Sequence, residues 1–522
     1  MGSADQSRES LGLLGGLPLE LLSQVICTLP NVDIKSLRLT CSFLAANALP
    51  RLNRAFISTN PRDIEVFTLI ANHDVFRFKI TDIIYDDSRI DSSRARQYEG
   101  VYEGYTDGPT RVPYWFQRVY GSMIHVIDSK EEQYPSFPHI KEAFKNRHSL
   151  AESYGGYRKL KSQQDEVLAS GRDADALRYG VSRFPNLKRV TLSPAAHGKL
   201  ERPLYPTPTI VSLSQGLICP LECGWPVSAP LKEHPLTPWD DRSRQEWRGF
   251  CVVTKEIAQH VRENPMCGLS ELVVESRQLW TGISCRVFDN PVSEEYRDLV
   301  TILSHLPLRR LELSLACGSE AREKWPSFRS GLLLKALSKA KNLQDLRLYT
   351  SITLISRKWN DFVDDEENGM PLQSMFSINE WSNLRHFALS LSFVKHRDIM
   401  TLITALPLTL ESLELSFLSF LPREGNYRNL LQDMRDNLGW RERPAGNQPK
   451  LIVFVVETEL TTDGAAIDVS HAAMDYMYHH GENPFVEEQI MEVVEGKGTL
   501  VDFLDPRTTR NGISLPIFHS AG

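Results

Sequence analysis

Four cysteines in the middle of the chain are the first residues that could do chemistry. Cys219 and Cys223 are separated by three residues, and Cys251 and Cys267 follow downstream. Thiolates are common zinc ligands, but structural zinc sites usually contain closely spaced ligand pairs, and this sequence has only one such pair. Buried free thiols explain these cysteines better than a metal does. We therefore predict no metal site and no cofactor.

Histidines and paired carboxylates are the second group of candidates. His479-His480 stands beside Glu482, and acidic runs occur at Asp86-Asp87 and at 364–367. An acid–base or metal role would need further groups converging from elsewhere, so we expect a solvated loop and solvated faces. The sequence contains no nucleophile elbow, phosphate loop, dinucleotide fingerprint or zinc-protease motif. These features predict a protein that is not an enzyme; an active site within the insertion at 193–268 stays an alternative.

Length and composition narrow the class of protein. The chain has 522 residues, a formal net charge of −7 and eight scattered cysteines. This length allows about three or four domains, and a large chain with few cysteines is typical of a reducing compartment. No apolar run reaches the roughly 18 residues that a membrane span needs, and no long basic stripe points to nucleic acid. We expect a cytoplasmic or nuclear protein that binds neither nucleic acid nor membrane.

The N-terminal region has the spacing of short amphipathic helices. Pro18 can begin a helix, Glu20 favours its first turn, and Pro30 ends it. A second helix is predicted to start at Asp33 as its N-cap, and a third to run to about residue 49. The apolar residues of the first two helices recur at helical spacing: Leu21, Leu22, Val25, Ile26, Leu29, Ile34, Leu37, Cys41 and Leu44. Such small pieces cannot bury all their apolar groups, so an exposed apolar face is a candidate partner site.

A six-residue pattern with apolar residues at positions 1, 4 and 6 repeats from about residue 180. Its copies begin at Leu187, Leu269, Leu308, Leu343, Leu384 and Leu410. The pattern is typical of the strand of a leucine-rich repeat, and amphipathic segments at 296–306, 332–340 and 398–406 predict the companion helices. Successive copies are 82, 39, 35, 41 and 26 residues apart, whereas regular repeats span about 20–29 residues. We expect an irregular array with long insertions, closed by a strand at 451–456.

The N-terminal residues resemble an F-box. Leu17-Pro18-x-Glu20 opens the first helix, and Leu37-Arg38-Leu39-Thr40-Cys41 ends the second. The segments 50–58, 83–89, 430–440 and 481–485 resemble those of a large fungal group of F-box proteins. Many F-boxes carry a Trp shortly after the cysteine, where this chain has Phe43. The resemblance implies an α/β protein: a three-helix F-box followed by an irregular leucine-rich-repeat-like solenoid.

The resemblance also implies a function without catalysis. The chain would be the substrate-recognition subunit of an SCF-type cullin–RING ubiquitin ligase, whose F-box binds a Skp-type adaptor and whose repeats bind a protein target. The residues that would face the adaptor or support that face are Leu17, Pro18, Leu21, Leu22, Val25, Ile34 and Leu37. Arg309, Arg347 and Arg385 lie near core positions of the repeats and are candidate target contacts.

These predictions divide the chain into five parts. They are a disordered start at 1–10, the F-box at 11–60, a helical and irregular connection at 61–175, the repeat-like domain at 176–460 and a tail segment at 461–522. A second interpretation stays open: a scaffold protein outside any ligase, whose F-box-like helices only cap the repeat domain. It predicts that removal of residues 1–60 unfolds the remainder.

Overall fold

The computed structural model describes most of the chain in several stretches. These are residues 14, 16–90, 112–131, 147–196, 205, 207–213, 216–218, 224–226, 236–276, 281–318, 320–321, 323–352, 366–421, 423–456 and 466–485. The chain divides into two compact units, Met1–Ala55 and Phe56–Gly522.

Three short helices form the described part of the first unit: α1 (Leu19–Thr28), α2 (Asn31–Arg38) and α3 (Ser42–Asn47). Pro18 and Pro30 occupy the positions directly before α1 and α2. A proline at a helix start fixes the backbone angle φ. Its missing N–H costs no hydrogen bond, because an N–H at this position has no acceptor within the helix. The predicted N-cap at Asp33 is wrong, because Pro30 already starts α2 and Asp33 lies within its first turn.

A small apolar core and two arginines hold these helices together. The buried side chains are Leu22, Ile26, Ile34, Leu44 and Ala48. The Arg51 guanidinium donates to the carbonyls of Cys27 and Leu29 at the end of α1. The Arg38 guanidinium donates to the Ala48 carbonyl at 3.0 Å, at the end of α3. Each arginine thus satisfies carbonyl groups that a helix end leaves without a helical partner.

The second unit is built on a parallel sheet, whose first strand begins two residues before the unit itself. Its strands, in the described residues, are β1 (Arg54–Ser58), β2 (Asp82–Asp86), β3 (Arg189–Ser193), β4 (Glu271–Val274), β5 (Ile283–Ser284), β6 (Arg310–Gly318), β7 (Asp345–Ile352), β8 (His386–Ser390), β10 (Ser412–Ser416) and β12 (Lys450–Ile452). The strands from β1 to β12 lie side by side in chain order, with β5 paired beside β6. Two small sheets join β9 (Phe393–Val394) to β11 (Ser419–Phe420) and β13 (Phe454–Val456) to β14 (Ala466–Asp468).

Helices connect most of these strands, as a parallel sheet requires. In the described residues they are α4 (Pro61–Asn72), α5 (Tyr114–Glu131), α6 (Leu150–Ser170), α7 (Arg172–Arg183), α8 (Pro208–Ser212), α9 (Asp241–Glu246), α10 (Arg248–Glu263), α11 (Glu294–His305), α12 (Pro326–Arg329), α13 (Leu332–Leu337), α14 (His396–Thr404), α15 (Tyr427–Asn437) and α16 (Ser470–Tyr478). Helices α11, α13 and α14 fall on the three predicted helical segments.

One row of buried apolar residues crosses the sheet from strand to strand. In register, it consists of Ile83, Val190, Leu272, Leu311, Leu346, Phe387, Leu413 and Leu451. Each of the six predicted repeat motifs supplies one of these residues as its fourth position. The strands pair in parallel from β2 to β12, so equivalent positions of successive motifs stand beside one another.

The sheet begins earlier in the chain than the leucine pattern indicates. Strand β2 lies in the region expected to be helical or irregular, and it pairs with β3 from Asp82↔Arg189 to Asp86↔Ser193. Its residues lack the leucines of the later motifs. Ile83, Ile84 and Tyr85 are all fully buried, as in a strand covered on both faces.

Charged residues alternate with the apolar row and are paired within a strand or with the next strand. Arg189 bonds Glu271 at 2.6 Å, and Arg310 bonds Glu312 at 2.9 Å. Arg310 also lies 3.6 Å from Asp345. Because side chains of a strand alternate between its faces, these residues project opposite to the leucines. The pairing lets charged groups occupy a face that is largely shielded from water.

Truncation in the apolar row tests its contribution to the fold. Leu346 is 1% exposed, so Leu346→Ala is expected to lower the free energy of unfolding by about 2–5 kcal/mol. Leu408 is 85% exposed, and Leu408→Ala is the matched control with an expected change near zero. Urea unfolding followed by far-UV circular dichroism measures both. Equal midpoints for the two variants would contradict the proposed row.

Candidate partner-binding surfaces

The predicted adaptor residues separate into buried and exposed groups. Leu22 is 1% exposed and Ile34 is fully buried, so both belong to the core of the helical unit. Leu17 and Leu37 are partly buried and contact that core. These four residues are placed to support a surface rather than to present one.

The remaining predicted residues, Pro18, Leu21 and Val25, are exposed on α1 and directly before it. Leu21 is 46% exposed and Val25 is 37% exposed. Their spacing of three and four residues places them along one side of the helix. They form an apolar strip that we call the α1 strip, defined as Pro18, Leu21 and Val25. Removing an apolar strip of this kind from water favours binding of a partner.

The sequence interpretation missed four exposed apolar residues of the same unit. They are Leu14, Leu19, Val32 and Leu39, which are 39%, 47%, 71% and 89% exposed. Leu39 belongs to the Leu37–Cys41 segment that resembles an F-box, and it directly follows the end of α2. Helical periodicity selects residues that share the core face, so it passes over apolar residues on the other faces. We include these four residues in the candidate surface because their side chains are exposed in the structure.

Phe43 stands in α3 where many F-boxes have a Trp. Its side chain is partly buried and contacts the core of the helical unit. An aromatic residue is thus retained at this place in the fold, with a smaller ring and without an indole N–H donor.

The three candidate target arginines do not form one row. Arg309 and Arg385 directly precede β6 and β8, and the backbone links them through Gln344: Gln344 N–H donates to Arg309 O and Arg385 N–H donates to Gln344 O, each at 2.8 Å. Both side chains are exposed, and Arg385 bonds Glu411 at 2.7 Å. Arg347 lies within β7 and bonds both carboxylate oxygens of Asp345, at 2.8 and 3.1 Å. Arg309 and Arg385 are therefore the more accessible of the three.

Asp86 and Asp87 are both buried, so the prediction that this acidic pair lies on a solvated face is wrong. Asp87 is fully buried and accepts hydrogen bonds from the Trp225 indole at 2.7 Å and the Gly249 N–H at 2.9 Å. Arg89 bonds the same carboxylate at 2.9 Å. Burial raises the pKa of Asp87, and the Arg89 charge opposes that effect. Asp86 ends a strand that is covered on both faces and Asp87 directly follows it, so both carboxylates lie in the interior, where these donors contact Asp87.

Ser58, Asp63, Asp86, Arg89 and Thr209 are among the residues that line a small cavity near this pair. Its volume is about 40 Å³, which is far below the 300–1,000 Å³ typical of small-molecule pockets. Asp63 accepts hydrogen bonds from the Ser58 hydroxyl at 2.6 Å and the Thr209 N–H at 2.8 Å. The cavity has room for ordered water and is too small for a metabolite.

Other residues with possible chemistry give no convergent site. His479, His480 and Glu482 are exposed, as expected for a solvated loop. Cys219 and Cys223 lie outside the described residues. Within the stretches that the structure describes, no group of three or more histidine, cysteine and acidic side chains could hold a metal ion. In the same stretches, no helix has the length and apolar character to cross a membrane.

The pH dependence of stability tests the burial of Asp63. Burial raises the pKa of this carboxyl from 3.8 to about 6, against the opposing effect of its hydrogen bonds. Because the folded pKa exceeds the unfolded one, the stabilisation is present below about pH 4 and is lost as pH rises through about 6. Relative to Asp63→Asn, the native protein should lose on the order of 2 kcal/mol between pH 4.5 and 7.5.

Chemical unfolding at several pH values gives this comparison. Glu65→Gln is the control, because Glu65 is 58% exposed in its pair with Arg62, and its offset from the native protein should not vary over the same range. A constant offset for Asp63→Asn across the range would show that burial does not raise the pKa of this carboxyl.

Comparison with known proteins agrees with the geometry of the first unit. Residues 14–46 match the family model described as F-box domain. These residues include α1, α2 and nearly all of α3, together with the whole α1 strip. No curated protein matches the chain. The F-box domain at residues 14–46 supports the assignment of this chain as an F-box protein.

Proposed function

We propose that this protein is the substrate-recognition subunit of an SCF-type cullin–RING ubiquitin ligase. The single observation that carries the proposal is the α1 strip, an exposed apolar surface within the residues that match an F-box domain. F-box domains typically bind Skp-type adaptors, which join them to a cullin–RING ligase. The protein would contribute binding rather than catalysis, and it would act in the cytoplasm or the nucleus.

The α1 strip is suited to such an interaction in size and chemistry. Burying a half-exposed leucine such as Leu21 contributes on the order of 1 kcal/mol or more to binding. Leu19, Val32 and Leu39 add apolar area on the same unit. Stable interfaces bury about 1,200–2,000 Å², so the surface needs several such residues together. The internal hydrogen bonds of Arg38 and Arg51 fix the helices before binding, which lowers the ordering cost of association.

We further propose that the second unit is an irregular solenoid of leucine-rich repeats that binds the protein target. The parallel strands in chain order and the row of buried leucines support this interpretation. Arg309 and Arg385 would contribute from the exposed row that precedes the strands, whereas Arg347 would act mainly through its ion pair with Asp345. The leucines themselves would serve the core.

A scaffold role outside any ligase is the second candidate. It predicts that the N-terminal helices stabilise the repeat domain, so their removal should unfold the rest. The first strand of the sheet runs from Arg54 to Ser58, so the truncation must end before residue 54. A cooperative thermal transition in the fragment 53–522 would favour the ligase proposal, whereas loss of that transition would favour the scaffold.

Substitution of the α1 strip tests the adaptor proposal. Leu21→Asp places a charge on the exposed strip without touching the core, because Leu21 is 46% exposed. We expect a 1:1 complex of the full chain with a purified Skp-type adaptor on size exclusion, and at least tenfold weaker binding for Leu21→Asp. Leu22→Asp is a poorer test, because Leu22 is 1% exposed and its substitution would unfold the unit.

Leu21→Met is the matched control for this test. It keeps an exposed apolar side chain of similar size at the same position of α1, so this variant should bind as the native chain does. An unchanged affinity for folded Leu21→Asp would show that the strip is not the adaptor surface. Absence of any complex with the native chain would contradict the ligase proposal itself.

A further inference from the structure

A second exposed apolar surface lies on the larger unit, far in sequence from the α1 strip. It is formed by the end of α4, the 3-10 turn at Phe76–Phe78 and the last turns of α7. We call it the aromatic–arginine patch and define it as Leu69, Val75, Arg77, Phe78, Tyr179 and Arg183. Its apolar members are Leu69, Val75, Phe78 and Tyr179, which are 61%, 40%, 48% and 39% exposed.

Hydrogen bonds join the elements of the patch into one surface. The Tyr179 hydroxyl of α7 donates to the Asn72 side chain of α4. The Asn186 amide donates to the Phe78 carbonyl at 2.7 Å, which ties the chain after α7 to the 3-10 turn. Exposed aromatic side chains are therefore held on a defined backbone, and little conformational entropy is lost when a partner covers them.

Close packing beneath the patch fixes the two helices against each other. The rings of Phe67 and Phe184 meet edge to face with their centroids 5.4 Å apart. A Cβ atom at Gly180 would lie 2.2 Å from the Phe67 ring, so α7 approaches α4 to a distance that only glycine allows. The exposed residues thus lie over a packed interior and do not belong to a loose segment.

Two arginines of the patch have no anionic partner among the residues that the structure describes. The Arg77 guanidinium lies 4.7 Å from the Phe78 ring centroid, and the Arg183 guanidinium lies 5.8 Å from the Tyr179 ring centroid. The Nε atoms of both arginines are buried without a hydrogen-bond partner. Within the part of the chain that the structure describes, neither guanidinium forms an ion pair. Arg178 of α7 shows the contrast, because it bonds Glu256 at 2.7 Å.

The chemistry of the patch selects for carboxylates beside apolar groups. Arginines stacked on aromatic rings retain outward N–H donors that can bind a carboxylate with two parallel hydrogen bonds. Arginine, tyrosine and phenylalanine are also enriched in protein–protein interfaces. The two stretches that form the patch, 69–79 and 179–186, contain the cations Arg77, Lys79 and Arg183 and one carboxylate, Asp74. These stretches are therefore net positive, although the whole chain has a net charge of −7.

We propose that the aromatic–arginine patch binds an acidic segment of a partner protein, in which Asp or Glu residues stand next to aromatic or aliphatic ones. The charge of the patch complements such a segment, and its exposed rings would cover the apolar side chains between the carboxylates. The overall negative charge of the chain disfavours nucleic acid as the ligand. This interaction is separate from adaptor binding, because every residue of the patch lies beyond the F-box domain.

Selection from a random 12-residue peptide display library against the purified full chain tests the proposal. We expect enriched peptides in which Asp or Glu neighbours Phe, Tyr or Leu. Fluorescence polarisation with the most enriched peptide should show at least tenfold weaker binding to the double variant Arg77→Glu/Arg183→Glu. Phe78→Ser, which keeps both arginines, should also weaken binding and provides an independent measurement of the same surface.

Arg172→Glu is the matched control, because Arg172 is an exposed arginine at the other end of α7. It should bind the peptide within twofold of the native chain, and circular dichroism should show all variants folded. The proposal is overturned if no peptide is enriched, if the enriched peptides are not acidic, or if the folded double variant binds them normally. Tighter binding of a 20-nucleotide oligo-dT strand at the same residues would also overturn it.

Discussion

The parallel register of the main sheet is the constraint on which the rest of the larger unit depends. A row of buried residues, Leu272, Leu311, Leu346, Phe387 and Leu413 among them, sits at equivalent positions of successive strands. Because side chains alternate along a strand, a slip of one residue would turn leucines toward the charged face and arginines into the core. The ion pairs of Arg189 and Arg310 follow from the same register, since each partner stands on the same or the next strand.

The sequence predicted the strands that carry the leucine pattern and missed β1, β2 and β5 of the same sheet, which lack it. Six copies of a short apolar pattern located β3, β4, β6, β7, β8 and β10, because each buries residues of one type at fixed spacing. Strand β2 is as deeply buried, but its Ile-Ile-Tyr run has no counterpart in the later copies. Asp33 shows a different limit: a good N-cap residue does not start a helix where a proline three residues earlier has already fixed the backbone.

The local sequence pattern did not predict which charged side chains are buried. Asp86 and Asp87 look like a solvated acidic pair in the sequence, yet the donors that satisfy Asp87 include Trp225 and Gly249, which lie more than a hundred residues away. The same limit applies to the aromatic–arginine patch. Its residues come from separate segments, and only folding shows that Phe78 and Tyr179 are exposed while Phe67 and Phe184 are not. Helical spacing likewise grouped Leu21 and Val25 with Leu22 and Ile26, and only the fold separates the exposed pair from the buried one.

Two surfaces with different chemistry follow from this architecture. The α1 strip is apolar and short, and its members belong to an F-box domain. The aromatic–arginine patch lies in the larger unit and combines aromatic rings with two arginines that form no ion pair within the described stretches. The proposed adaptor surface and the proposed surface for an acidic partner segment would together suit a substrate receptor. The row of Arg309 and Arg385 offers a further exposed surface beside the strands.

Hydrogen–deuterium exchange of the full chain with and without a purified Skp-type adaptor tests the central claim most directly. The adaptor should slow exchange in peptides that cover residues 17–39, where the exposed apolar residues of the helical unit lie. Peptides that cover β6 to β10 should exchange at the same rate in both samples. Unchanged exchange in residues 17–39, or protection confined to residues beyond 56, would contradict the proposal that the N-terminal unit binds the adaptor.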